Sequence, residues 1–75
     1  MGIKEFIKFF SAQFDVTPAE MFQPETEFKK LEEWDSLTAL AVIAMVDEEY
    51  EKRITGADLR SCKTIEDLFL FVQSK

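Results

Sequence analysis

The sequence has no histidine and a single cysteine, Cys62. Without histidine, no Ser-His or Cys-His pair can activate a nucleophile, and a zinc site of the usual Cys/His kind cannot be assembled. One cysteine excludes an internal disulfide and fits a reducing compartment, so a cytoplasmic location is expected. Lys63 adjoins Cys62, but with no histidine in the chain the thiol is read as a surface or half-buried packing residue. Glycine and proline occur twice each, which excludes collagenous and low-complexity chains. No apolar run reaches the roughly 18 residues that span a membrane. The opening Met1-Gly2-Ile3-Lys4-Glu5 lacks the basic and apolar regions of a signal peptide. Phe6 stands where a myristoylation signal needs Ser or Thr. Bases are outnumbered, nine Lys and Arg against fifteen Asp and Glu, for a net charge of −6. That balance argues against nucleic acid or an anionic membrane as partner and favours basic protein patches.

What the chain does have is apolar bulk: 47% hydrophobic residues and eight Phe in 75 positions. A chain of this length buries only about 60% of its unfolded surface, so one modest core is expected. No linker and no repeat divides it, and residues 1–75 read as a single domain. No segment alternates at period two, and the fold class predicted is all-α. A first helix is predicted from Ile3 to Phe14, with Ile3, Phe6, Ile7, Phe10 and Phe14 on one face. Thr17-Pro18-Ala19-Glu20 has the form of a capping box opening one turn that Pro24 stops. The rest of residues 15–35 is a long loop, tucked onto the bundle by Met21, Phe22, Phe28 and Leu31.

A second helix is predicted from Asp35-Ser36 to about Arg53. On a helical wheel Ala39, Leu40, Ile43, Val46, Tyr50 and Ile54 form the arc expected to face the core. Leu37, Thr38, Ala41, Met45, Glu48 and Lys52 form the opposite, outward arc, whose first half is unusually apolar. Gly56 is expected to break this helix, and residues 57–60 to form a short turn. Thr64, with Asp67 three residues on, caps a last helix whose buried stripe is Ile65, Leu68, Phe69 and Val72. The predicted architecture is three main helices plus a short helical turn, with a long first loop.

The acid excess sits almost wholly in residues 31–53, which carry seven acids and two bases. Glu48–Lys52 and Glu49–Arg53 are favourable i,i+4 pairs, whereas Asp47 and Glu51 repel at the same spacing. All four acids crowd the negative end of the second helix, where a purely structural helix would more often place cations. The cluster is either a surface for basic partners or a solvated face.

The segment Leu31-Glu32-Glu33-Trp34-Asp35-Ser36-Leu37 resembles the attachment motif of the acyl carrier protein family, in which Asp-Ser-Leu opens the second helix. The resemblance extends over essentially the whole chain: amphipathic first helix, long loop, acidic second helix, short third turn and Thr-capped last helix. It implies that Ser36 carries 4′-phosphopantetheine, transferred from coenzyme A by a phosphopantetheinyl transferase. The protein would then hold acyl intermediates as thioesters and present them to fatty-acid, polyketide or other lipid biosynthetic enzymes, catalysing nothing itself. Asp35 would cap the helix and help the transferase bind the magnesium on coenzyme A. No metal site of the chain's own is implied. Leu37, Ala41, Met45, Asp47 and Glu48 would meet client enzymes that carry basic docking patches, and a monomer is expected.

Two departures stand out. Trp34 occupies a position where many relatives have Gly, and either docks partners or packs on the loop. Thr38 and Ala41 stand where carriers of fatty-acid synthesis often have acids, which points to a specialised set of clients. The Phe-rich helices either leave room for an acyl chain or pack fully. A peptidyl or aminoacyl carrier, and an unmodified acidic helical interaction module, are the alternatives. The first uses the same serine; the second predicts no modification.

Overall fold

The computed structural model describes residues 2–75; Met1, on which the N-terminal reading partly rests, lies outside the described residues. Four α-helices follow in order: α1 (Ile3–Ser11), α2 (Ser36–Tyr50), α3 (Gly56–Ser61) and α4 (Ile65–Ser74). Two single turns of 3-10 helix, Ala19–Met21 and Phe28–Lys30, punctuate the loop between α1 and α2. No strand occurs among the described residues. The bundle measures 29 × 24 × 20 Å, with α1 packed on α2 and α4, and α3 on α2. This is the all-α, carrier-like arrangement that the residue pattern predicts.

Phenylalanine builds the core. Phe6, Phe10, Phe14, Phe22 and Phe28 are all buried. Phe10 sits at the hub, with ring centroids at 5.4 Å from Phe14, 5.6 Å from Phe28 and 6.1 Å from Phe22. Such tilted and edge-on pairs contribute about 0.5–1.5 kcal/mol each beyond the area they bury. The loop therefore anchors itself through Phe22 and Phe28, as predicted. Leu31 is half-buried, while Met21 is exposed and plays no part in the anchoring.

Several boundaries and faces differ from expectation. Helix α1 ends at Ser11, and the chain reaches the buried Phe14 through i→i−3 bonds, Gln13 N–H to Phe10 O and Phe14 N–H to Ser11 O. Here the Ser11 hydroxyl donates to Lys8 O and the Gln13 amide to Phe9 O, local bonds that compete with the helical ladder. Thr17 caps nothing, because its hydroxyl is committed to Glu33.

Helix α2 stops at Tyr50, well before Arg53, because Glu51 adopts the left-handed conformation with φ 54°. Lys52 and Arg53 consequently lie off the helix, and the expected pairs with Glu48 and Glu49 do not form. The Lys52 ammonium donates instead to the Lys75 carbonyl at 2.8 Å. Gly56 begins α3 rather than ending α2.

The face of α2 is also turned from the predicted one. Thr38, Val42, Met45 and Val46 are buried, at i, i+4, i+7 and i+8 spacing, whereas Leu40 is 62% exposed. Leu40 was expected inside, and Met45 and Thr38 outside. Every residue from Leu37 to Val46 except Thr38 is apolar, so the sequence of this helix carries almost no contrast from which to orient it. The neighbours decide: α1, α3 and the loop cover one side and leave Leu37 and Leu40 in solvent.

Candidate functional site

Asp35 takes an extended conformation and its carboxylate accepts the Thr38 N–H at 2.8 Å, one of the amides that the first helical turn leaves unpaired. The Thr38 N–H foremost holds the Asp35 carboxyl below the usual carboxylate range. Ser36 follows as the first residue of α2, exposed, and its hydroxyl makes no hydrogen bond among the described residues. The positive end of the helix dipole lies beside it. A phosphate ester on this oxygen meets no steric barrier and a favourable local field, so the residues present fit a phosphopantetheine group.

A cleft of about 550 Å³ opens beside Ser36, between α2 and α3. Ala39, Ile43 and Leu59 give it apolar lining, with Trp34 at one side and the exposed cations Lys29 and Arg60 also reaching it. The Lys29 ammonium donates to the Arg60 carbonyl at 2.7 Å and so ties the loop to α3. The Phe-rich interior between the helices is filled by the aromatic cluster, and the cleft lies at the surface next to Ser36.

The structure brings together only some of the residues singled out above. Leu37 is 74% exposed directly after Ser36, and Leu40 continues its stripe one turn on. Asp47 and Glu48 are exposed further along the same helix, and Glu51 is exposed just past its end. Met45 does not belong to this surface: at 4% exposure it is core, because its position is one helical turn past Val42 and two past Thr38 on the packed side. Ala41 is half-buried at the margin. Trp34 packs on the loop side, stacked on Phe10 at 6.5 Å and 7° and edge-on to Phe28 at 5.0 Å, with part of the ring left exposed toward the cleft. Cys62 is a packing residue but lies deeper than the surface or half-buried place expected, buried in the core, and burial raises its thiol above the ordinary range against a weaker opposing hydrogen bond from Ser61.

Glu33 escaped the sequence reading. Its carboxylate collects the N–H groups of Asp15, Val16 and Thr17, and the Thr17 hydroxyl at 2.7 Å. These bonds, the Thr17 hydroxyl foremost and then the Asp15 N–H, draw its pKa from 4.5 down to about 2. No local pattern signals such a contact, which spans sixteen to eighteen positions. Leu40 was missed for a different reason, the apolar uniformity of α2.

The helical bundle, with an exposed serine at the head of its second helix, is consistent with a carrier domain. Residues 5–72 match the family model described as the phosphopantetheine attachment site. The chain belongs to that family, whose members carry 4′-phosphopantetheine covalently and are carriers rather than catalysts. No curated protein and no solved structure matches the chain.

Proposed function

We propose that the protein is an acyl carrier protein whose 4′-phosphopantetheine is attached to Ser36. The observation that carries this reading is the exposed, uncommitted Ser36 hydroxyl, placed directly after the Asp35 cap in a chain of the phosphopantetheine-attachment family. In loading, Ser36 Oγ attacks the phosphorus next to the pantetheine of coenzyme A. The pyrophosphate bond breaks, adenosine 3′,5′-bisphosphate leaves, and the hydroxyl proton passes to a base of the transferase. Asp35 holds the helix start and would help the transferase bind the magnesium that accompanies coenzyme A. The attached group supplies a thiol that holds cargo as a thioester and raises its effective concentration at each docked enzyme.

Partners meet the exposed stripe of α2: Leu37 and Leu40 as apolar anchors near Ser36, then Asp47 and Glu48 for basic patches. Ala41 contributes only its margin. Acyl rather than aminoacyl cargo is favoured by the apolar lining of the cleft beside Ser36. The lack of acids on the outer face of the first turns of α2 favours specialised lipid, polyketide or cell-envelope clients over general fatty-acid synthesis. A cytoplasmic monomer accords with the single buried cysteine and with helices among the described residues too short or too polar to cross a membrane.

Intact-protein mass spectrometry tests the reading. Incubation with coenzyme A, magnesium and a broad-specificity transferase should add one phosphopantetheine to the peptide containing Ser36. Ser36→Ala should add none while keeping its helical circular dichroism. A folded, unmodified wild-type chain that gains no mass overturns the proposal.

A further inference from the structure

The four donors on Glu33 form the densest hydrogen-bonded cluster around a side chain in the described structure, and they lie on the surface rather than in the core. Three successive backbone N–H groups turned toward one anion make a small anion-binding concavity. Here the chain fills it with its own carboxylate. The same residue reaches forward as well, because the Glu33 carbonyl accepts the Thr38 hydroxyl at 3.2 Å. The Thr38 N–H is in turn bound to Asp35 at 2.8 Å. Residues 15–17, Glu33, Asp35 and Thr38 thus form one connected network, and Ser36 lies inside its span. Exposed backbone amides are satisfied by water at little cost, so the network is not required to complete a buried core. What it does is fix the turn before Ser36 to a second, distant segment of the loop.

The geometry assigns Glu33 as a positioning residue for the modification of Ser36: its clamp on residues 15–17 holds the Trp34-Asp35-Ser36 turn in the conformation that the transferase engages. This rests on the reading of Ser36 as the attachment site. Glu33 touches no reacting atom and acts only through the backbone it fixes. Releasing the clamp leaves Asp35 capping α2 but lets the turn sample other arrangements. When the competent conformer is a fraction of the population, apparent affinity falls by that fraction while the step after binding is unchanged. The signature is therefore a raised KM for the unmodified carrier with kcat preserved.

Three variants read this without touching Ser36 or Asp35. Glu33→Gln keeps the side-chain shape but loses the charge and one acceptor oxygen. Thr17→Val removes the hydroxyl donor, and Thr17→Ser restores it. Amide hydrogen exchange is followed at residues 15–17 and in α1 and α4, alongside transferase kinetics. Glu33→Gln should lose protection at residues 15–17 alone and raise KM on the order of five-fold. Thr17→Val should move both readouts the same way, and Thr17→Ser should return them. Protection lost with KM unchanged overturns the positioning role, as does a fall in kcat without a rise in KM. Protection retained in Glu33→Gln overturns the clamp. A wild-type chain that accepts no arm at all overturns the Ser36 reading and the positioning role with it, whereas a wild type and a Glu33→Gln variant that load alike overturn the positioning role only.

Discussion

Glu33 gives up its proton far more readily in the folded chain than in the unfolded one, with the pKa falling from 4.5 to about 2. A depressed carboxylate contributes stability above its unfolded pKa and loses it as pH falls through the folded value. Its contribution is therefore complete above about pH 5 and fades between pH 4.5 and 2. Asp35 and Asp67, also lowered by backbone N–H groups, act in the same direction. Thermal melting from pH 7 to pH 2 should show a steeper fall for the wild type than for Glu33→Gln, and parallel curves would contradict the clamp. Tyr50 is the opposite case. Its hydroxyl is buried with no hydrogen-bond partner among the described residues, while its ring packs on Phe6 at 5.7 Å and Phe9 at 6.1 Å. Burial, then the nearby Glu5 and Glu49, push its pKa upward. Removing an unpartnered hydroxyl and keeping the ring should help, so Tyr50→Phe is expected to stabilise the fold by about 1 kcal/mol in urea unfolding.

At the scale of the element, the facing of α2 is decided by its neighbours and can be tested directly. Met45→Ala should cost about 2–4 kcal/mol, because it opens a cavity in the core. Leu40→Asp should change stability by no more than about 0.5 kcal/mol, yet weaken binding to the transferase. Equal costs at the two positions would mean that the helix is turned the other way. Two helix starts were legible where a side chain closes its own helix, whereas the equally local Thr55–Asp58 box before α3 was not, because Gly56 reads as a helix breaker. Asp35 before α2 and the reciprocal Thr64–Asp67 box before α4 are local in sequence, and the structure holds both. The stop of α2 was not legible, since Glu51 is no typical left-handed residue and the nearest glycine, Gly56, drew the boundary too far. The orientation of α2 failed for want of polar contrast, and Glu33 because its partners are remote in sequence. The place of Ser36 at the exposed start of α2 was legible because the Asp35 cap that sets it is the adjacent residue.

Across the whole molecule, charge is distributed unevenly enough to matter for encounter. The net −6 is concentrated around α2, whereas Lys29, Arg60 and Lys63 stand exposed near the other flank of the cleft and the start of α4. At physiological salt, fields decay over about 8 Å, so acids near a docking surface steer a basic partner only at close range. Association of the transferase with the carrier, followed by stopped-flow fluorescence, should slow several-fold when salt rises from about 20 to 300 mM. Asp47→Asn with Glu48→Gln should flatten that dependence, and a dependence left intact would place the steering charges elsewhere.

The long loop is also seated on α4, whose first amides, Ile65 and Glu66, donate to Thr26 and Pro24 at 3.0 and 2.9 Å. These bonds join segments about forty residues apart. During synthesis, α1 and the loop's Phe22 and Phe28 emerge early, but the loop gains this second anchor only after α4 has followed. Contacts of such separation form late in folding. With Ser36 proposed as the attachment residue, a nascent chain would display it on an unfinished surface, and modification is expected to follow translation through α4.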